Sequence, residues 1–219
     1  MPDPMELPAV LWAACQFDPV DPSDVSMMER RRSEIMSSMT PYWRASFKTV
    51  PLEEVEYGRF DAFVMESGPR GSPFIGYDLS RPRPIAHDEG KPLSGTKAGG
   101  GAFDGRAVLD TITDSRNVVV SGLPAGFKLS AGDYVEFRMT LLTRSLHRIT
   151  ADATANSSGV VSLRIMFGLD TQNFNTAAVV DFEKPATVMM IDPGSVQAPK
   201  SWGDRSGSFS ATEVFIYEP

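Results

Sequence analysis

Residues 43–49 read Trp43-Arg44-Ala45-Ser46-Phe47-Lys48-Thr49. In an extended chain Trp43, Ala45 and Phe47 fall on one side and Arg44, Ser46 and Lys48 on the other, the period of two expected of a strand with one dry and one wet face. The pattern recurs downstream. Along 134–141, Val135, Phe137, Met139 and Leu141 alternate with Tyr134, Glu136, Arg138 and Thr140. Along 161–167, Val161, Leu163, Ile165 and Phe167 alternate with Ser162, Arg164 and Met166, and the preceding Asn156-Ser157-Ser158-Gly159 supplies hairpin-turn chemistry. Shorter apolar runs at 118–120, 178–182, 187–191 and 209–217 make the C-terminal half read as almost all strand.

One stretch breaks this period. Leu52, Val55, Phe60, Phe63 and Val64 recur at three- and four-residue spacing, with Pro51 suited to a first helical position and Glu53, Glu54 and Glu56 suited to the positive end of a helix dipole. Gly68-Pro69 stops the pattern, so a helix is expected over 52–66, packed by its apolar stripe on a sheet face. Between the two β-rich parts, 81–117 holds Arg81-Pro82-Arg83-Pro84 and Lys97-Ala98-Gly99-Gly100-Gly101. Such a Gly/Pro-rich stretch reads as an extended loop or arm that gains order from a neighbouring molecule. The expected organisation is a single β-rich domain over 1–219, with 81–117 joining a strand-helix part (1–80) to an all-strand part (118–219).

Composition narrows the function classes. With 219 residues, 42% apolar and 22% charged, the chain is globular in character and long enough to bury ~70% of its unfolded surface. Lys plus Arg number 21 against 28 Asp plus Glu, a net charge of -7, the wrong sign for gripping phosphates by counterion release. Cys15 is the single cysteine, which excludes an intramolecular disulfide and every CxxC motif, and His87 and His147 are too few for a His-rich zinc site. The first eight positions lack a basic start and carry two prolines among the first four, which does not fit a signal peptide, and no apolar run approaches the about 18 residues of a spanning helix. The reading is of a cytosol-made protein.

No catalytic set emerges. Gly99 to Gly101 lack the Lys-Ser or Lys-Thr of a phosphate cradle. His87-Asp88-Glu89 are three adjacent loop residues with Asp78 nearby in sequence, and read as a solvated loop. Ser145 and His147 share a strand-like stretch, but no G-x-S-x-G elbow surrounds any serine, and Glu53-Glu54 reads as a helix start. No metal ligand, cofactor site or catalytic residue is expected. The suggestive feature is instead Met27, Met28 and Met39 flanking Arg30-Arg31-Arg32, followed by Tyr42-Trp43. Methionine, arginine and aromatic anchors suit a subunit contact, with Met27, Met28, Arg31, Arg32 and Trp43 as its candidates. The competing reading puts the methionines in a core and the arginines on a wet strand face.

The run Ser121-Gly122-Leu123-Pro124-Ala125-Gly126-Phe127-Lys128-Leu129-Ser130-Ala131-Gly132-Asp133-Tyr134-Val135-Glu136-Phe137 resembles a signature of minor tail proteins of long-tailed bacteriophages and related prophages. Arg144-Ser145-Leu146-His147-Arg148, Glu183-Lys184-Pro185-Ala186-Thr187-Val188-Met189-Met190 and Phe209-Ser210-Ala211-Thr212-Glu213 are similar to that group in the same order. So are Tyr42-Trp43-Arg44-Ala45-Ser46-Phe47, Pro51-Leu52 and Gly71-Ser72-Pro73-Phe74, so the resemblance covers most of the chain from about residue 31 onward. It implies a distal tail protein: a β-sandwich with a helix on one sheet and no enzymatic activity, assembled as a symmetric homo-oligomeric ring, six subunits or alternatively three. Such a ring joins the tail tube protein to the hub and tip proteins, does not touch a membrane, and lets DNA pass without specific binding. The implied location is the virion tail tip, after synthesis in the bacterial cytoplasm. A different class, a carbohydrate- or receptor-binding β-sandwich at the tail tip, would use Trp12, Trp43, Trp202, Tyr42 and Tyr77 as an aromatic platform.

Overall fold

The computed structural model describes residues 3–27, 33–37, 40–68, 71–199, 201 and 205–216. Its strands are β1 (Met5–Glu6), β2 (Trp12–Val20), β3 (Ser23–Met27), β4 (Ser33–Ser37) and β5 (Tyr42–Thr49), followed by the helix α1 (Glu54–Ser67) and β6 (Phe74–Tyr77). After a short 3-10 turn at Asp88–Gly90 come β7 (Arg106–Asp114), β8 (Asn117–Ser121), β9 (Lys128–Leu129), β10 (Tyr134–Arg138) and β11 (Arg144–Arg148). The remainder is β12 (Ala153–Thr154), β13 (Val161–Arg164), β14 (Val179–Asp181), β15 (Ala186–Ile191) and β16 (Ser208–Glu213). The protein is mainly β with one α-helix among the described residues, the sandwich class expected.

The chain divides into two compact units, neither of them continuous in sequence. The first comprises Met1–Leu7, Pro73–Val188 and Phe215–Pro219; the second comprises Pro8–Ser72 and Met189–Val214. This differs from a single domain cut at 80 and 118, because period-two strands carry no mark of which sheet they join.

In the first unit six antiparallel strands run in the order β11-β10-β14-β7-β8-β13. The two outer strands also meet: beyond their ends Ile149 and Ile165 form an antiparallel bridge, with Thr150 N–H donating to the Arg164 carbonyl and Met166 N–H to the Arg148 carbonyl, both at 2.9 Å. The sheet is thereby closed along one seam, which removes open edges there. The unit also holds a two-stranded antiparallel β9-β12 ladder and the parallel pair β1-β6. One apolar core fills the interior, including Leu109, Val120, Leu123, Phe127, Val135, Phe137, Val180 and Phe182, each at most 0% exposed.

Two details of the sequence reading change here. Val161, Leu163 and Ile165 do point into the core, and Asn156 makes the expected turn, its Oδ1 accepting from the Ser158 and Val160 amides with Gly159 at φ +71°. β10, however, is buried on both faces: Tyr134 and Glu136 are as enclosed as Val135 and Phe137, while Leu141 lies beyond the strand and is exposed. The chain at Asp78–Arg81 and at Ala186 returns over the supposedly wet face. The 81–117 arm is also corrected. Its last third is β7, paired on both sides, and Leu93 and Phe103 belong to the core. Those apolar anchors supply the burial that its Gly and Pro content obscured.

In the second unit the sheet runs β15-β16-β5-β2, with Phe17, Trp43, Ala45, Phe47, Phe209 and Ala211 buried. The inward set on β5 is the one its alternation predicts. α1 lies on this sheet. Phe60 and Phe63 bring their rings to 6.2 and 5.7 Å from Phe209, and Phe60 sits against the Gly207 backbone so closely that a Cβ there would collide with it. The helix begins at Glu54 with Glu53 as N-cap, leaving Pro51 outside it, and Val55 faces solvent rather than the sheet. Phe60, Phe63, Val64 and Ser67 form the buried stripe.

Candidate interaction surface

β3 and β4 form a separate two-stranded ribbon in register Val25 with Ile35 and Met27 with Ser33. Opposed residues share a face, and so do residues two apart on one strand. Met27 and Ile35 therefore project together from one face, 84% and 67% exposed, and Met36 projects from the other at 66%. Such a ribbon is marginal by itself in water, and three exposed apolar side chains on it mark a surface that prefers to be covered. Its strands are joined through 28–32, the stretch carrying Arg30, Arg31 and Arg32.

Of the expected contact residues, Met27 is placed on this surface. Met28, Arg31 and Arg32 lie outside the described residues. Trp43 is corrected: it is 1% exposed, its ring 5.5 Å from Phe17, and its amide donates to the buried Glu213 carboxylate at 2.9 Å, so it is a core residue and not an anchor. Ile35 and Met36 were missed by sequence reasoning. The hairpin connection lacks the Gly, Asn or Pro that ordinarily announces one, so β4 gave no turn signal.

Several ionisable residues of the first unit are engaged internally. Glu136, 1% exposed, accepts from Arg144 Nη1 at 2.8 Å and from the Ala186 amide at 2.9 Å, with Arg138 3.7 Å away. Arg138 and Arg106 each approach Asp181 at 3.6 Å. Burial pushes the Glu136 and Asp181 carboxyls up and the Arg144 guanidinium down, and the neighbouring opposite charges pull each of them part of the way back. Asp133 accepts from Arg81 Nε at 2.8 Å, and the Tyr134 hydroxyl donates to Asp78 and accepts from Arg148. Burial, then the Asp78 charge, holds the Tyr134 phenol well above its usual range. Arg83 binds Glu183 through both carboxylate oxygens, and Glu183 also takes the Leu93 amide. These fastenings pin the 78–93 chain onto the sheet.

The remaining candidates fall as follows. His87 packs against Phe127 with ring centroids 4.4 Å apart, and the Glu89 side chain is open to solvent near Lys91. Gly99 to Gly101 form a tight turn, with Lys97 N–H donating to Gly101 O, and no helix follows it. Ser145 and His147 do meet, Oγ to Nε2 at 2.8 Å, although the sequence offered no motif for it. His147 is buried beside Phe137, and burial lowers its pKa to about 4 against a smaller opposing pull from the Phe167 backbone. Nδ1 makes no hydrogen bond of ordinary geometry, so the imidazole lacks the orienting partner of a triad and is a weak base at neutral pH. Among the described residues no group of three His, Cys, Asp or Glu side chains is arranged to hold a metal. Of the aromatic platform, Trp43 is in the core, Trp12 packs on Phe47 and Phe209, Tyr77 lies under Lys184, and Trp202 is outside the described residues.

No described helix is long and apolar enough to cross a membrane. No family model and no curated protein matches the chain.

Proposed function

We propose that the protein is a structural component of a long phage tail: a distal tail ring that joins the tail tube to the tip or baseplate hub and leaves a channel for DNA. The observation that carries this reading is the ribbon of β3 and β4, which exposes Met27, Ile35 and Met36. A protein arranged in this way offers a contact surface, and assembly is the use such a surface has. The longest segment of tail-protein resemblance, 121–137, supplies core residues Leu123, Phe127, Leu129, Val135 and Phe137, as a scaffold role requires. The net charge of -7 fits a lumen that releases phosphates. In this reading the protein is not an enzyme and needs no cofactor.

Native mass spectrometry with electron microscopy of the purified protein tests it. A closed ring, of six copies in this reading, is the expected result. A protein that stays monomeric at every concentration and in the presence of a tail tube would overturn it.

A further inference from the structure

The seam that closes the first unit's sheet joins two lips, each fastened on its own side. On one lip the Ile149 amide donates to the Asp133 carbonyl and the Ile149 carbonyl accepts from the Gly132 amide, both at 2.8 Å. On the other, the Ile165 amide donates to the Arg116 carbonyl at 2.9 Å and the Leu169 amide to the Ser115 carbonyl at 2.7 Å. Across the seam run the Thr150 and Met166 amide bonds, a bond from the Thr150 hydroxyl to the Arg164 carbonyl at 3.1 Å, and the Ile149 to Ile165 bridge. Each lip therefore keeps its own anchors when the seam parts.

His147 stands beside this joint. It precedes Arg148, whose carbonyl takes the Met166 amide, and its ring is 2% exposed, packed edge-on against Phe137 and close to the Phe167 backbone of the opposite lip. Ser145 Oγ meets Nε2 at 2.8 Å, while Nδ1 has no bond of ordinary geometry. Among the described residues no charged group faces the ring. Arg144 and Arg148 of its own strand turn to Glu136 and the Tyr134 hydroxyl on the other face of the sheet, Asp133 is held by Arg81, and Arg116 and Arg164 of the opposite lip are exposed. An imidazolium here has neither a counter-charge nor water. Because β11 ends the strand order, the way to water that leaves both neighbouring ladders intact is through the seam.

We propose that the seam is an acid-operated joint: proton uptake by His147 parts 148–150 from 164–167, while β11 stays on β10 and β13 stays on β8. The ring's pKa is about 4 in the closed sheet against about 6.5 in water, so the opened form binds the proton more tightly. Opening is therefore negligible above about pH 6.5 and grows as pH falls towards 4. Glu136 and Asp181 stay buried in the opened form. Raised by burial, they favour the folded sheet over the unfolded chain as pH falls, so acid loosens the seam before the ladders.

Hydrogen exchange of the wild-type protein at pH 7 and pH 4.5, corrected for the intrinsic pH dependence of amide exchange, tests the joint. The opening constants at Thr150 and Met166 should rise between the two by up to about fiftyfold, the most that the two pKa values allow. At pH 4.5 they should no longer depend on added denaturant, as for a local opening, while amides in the middle of β10 keep that dependence and stay better protected. His147→Gln takes up no proton and should abolish the rise. Constants at Thr150 and Met166 that ignore pH, or that rise only in step with those of β10 and with the same denaturant dependence, overturn the joint, and so does an undiminished rise in His147→Gln. The wild-type comparison decides by itself if that variant fails to fold.

Discussion

Ile149 and Ile165 lie 16 positions apart in sequence and pair across the gap between the outermost strands of the first unit's sheet. That bridge turns an open six-stranded sheet into one with a closed seam. Both side chains are 1% exposed, so the seam is also part of the core.

The seam should be among the last places to open. The Thr150 and Met166 amides, which donate across it, are expected to exchange with solvent as slowly as those in the middle of β10. Ile165→Ala should cost about 3 kcal/mol, the usual range for a fully buried large-to-small change, and speed exchange at both amides. Fast exchange at Thr150 and Met166 in the wild type would mean that the sheet is open in solution.

The 81–105 chain is expected to be ordered in the isolated protein. Ala98 N–H donates to the Leu123 carbonyl and Phe103 N–H to the Gly95 carbonyl, both at 3.0 Å, and Phe103 packs on Phe127. Hydrogen exchange of the free protein should therefore protect Ala98 and Phe103. Exchange at unfolded-chain rates there would restore the reading of this segment as an arm ordered only by a neighbour.

Stability should fall in mild acid through His147. The folded pKa of about 4 lies below the unfolded value near 6.5, so the unfolded chain binds the extra proton between those values. Stability is complete above about pH 6.5 and is lost as pH falls towards 4, by about 3 kcal/mol. Glu136 and Asp181, raised by burial, act in the opposite sense: their contributions are lost as pH rises through their folded pKa values. Comparing denaturation of the wild type with His147→Gln at pH 7 and pH 4.5 isolates the histidine. Equal pH slopes in the two proteins would remove it as the cause.

Arg144→Met should destabilise the first unit by about 3 kcal/mol, because it leaves the Glu136 carboxylate buried with only the more distant Arg138 and the Ala186 amide. Replacing both partners, Glu136→Met/Arg144→Met, should recover a large part of that loss. A double variant as unstable as the sum of the single ones would show that the two charges are not coupled.

Gly207→Ala should loosen α1 from its sheet, since the new methyl would occupy the place of the Phe60 ring. A loss of about 2 kcal/mol is expected, as for overpacking elsewhere. Phe60→Leu in the same chain should return part of it. Denaturant midpoints of the three variants measure the coupling, and a neutral Gly207→Ala would show that the ring has room to move.

Local chemistry by itself determined the strands and the side they turn inward. Trp43, Ala45 and Phe47 alternate because successive side chains of an extended chain point to opposite faces, and the same geometry put Val161, Leu163 and Ile165 in the core. The Asn156–Gly159 turn and the helical stripe of Phe60, Phe63 and Val64 were legible for equally local reasons. What covers the second face of a strand is not local. Glu136 and Tyr134 read as wet, and only the chain returning at Asp78 and Ala186 buries them. Likewise Met27 was readable as core or contact, and Trp43 as anchor or core, because an apolar side chain carries no record of whether its own chain supplies enough neighbours to bury it. The tertiary structure decided both: β2, β5 and β16 enclose Trp43, and the ribbon lifts Met27 and Ile35 away from such cover.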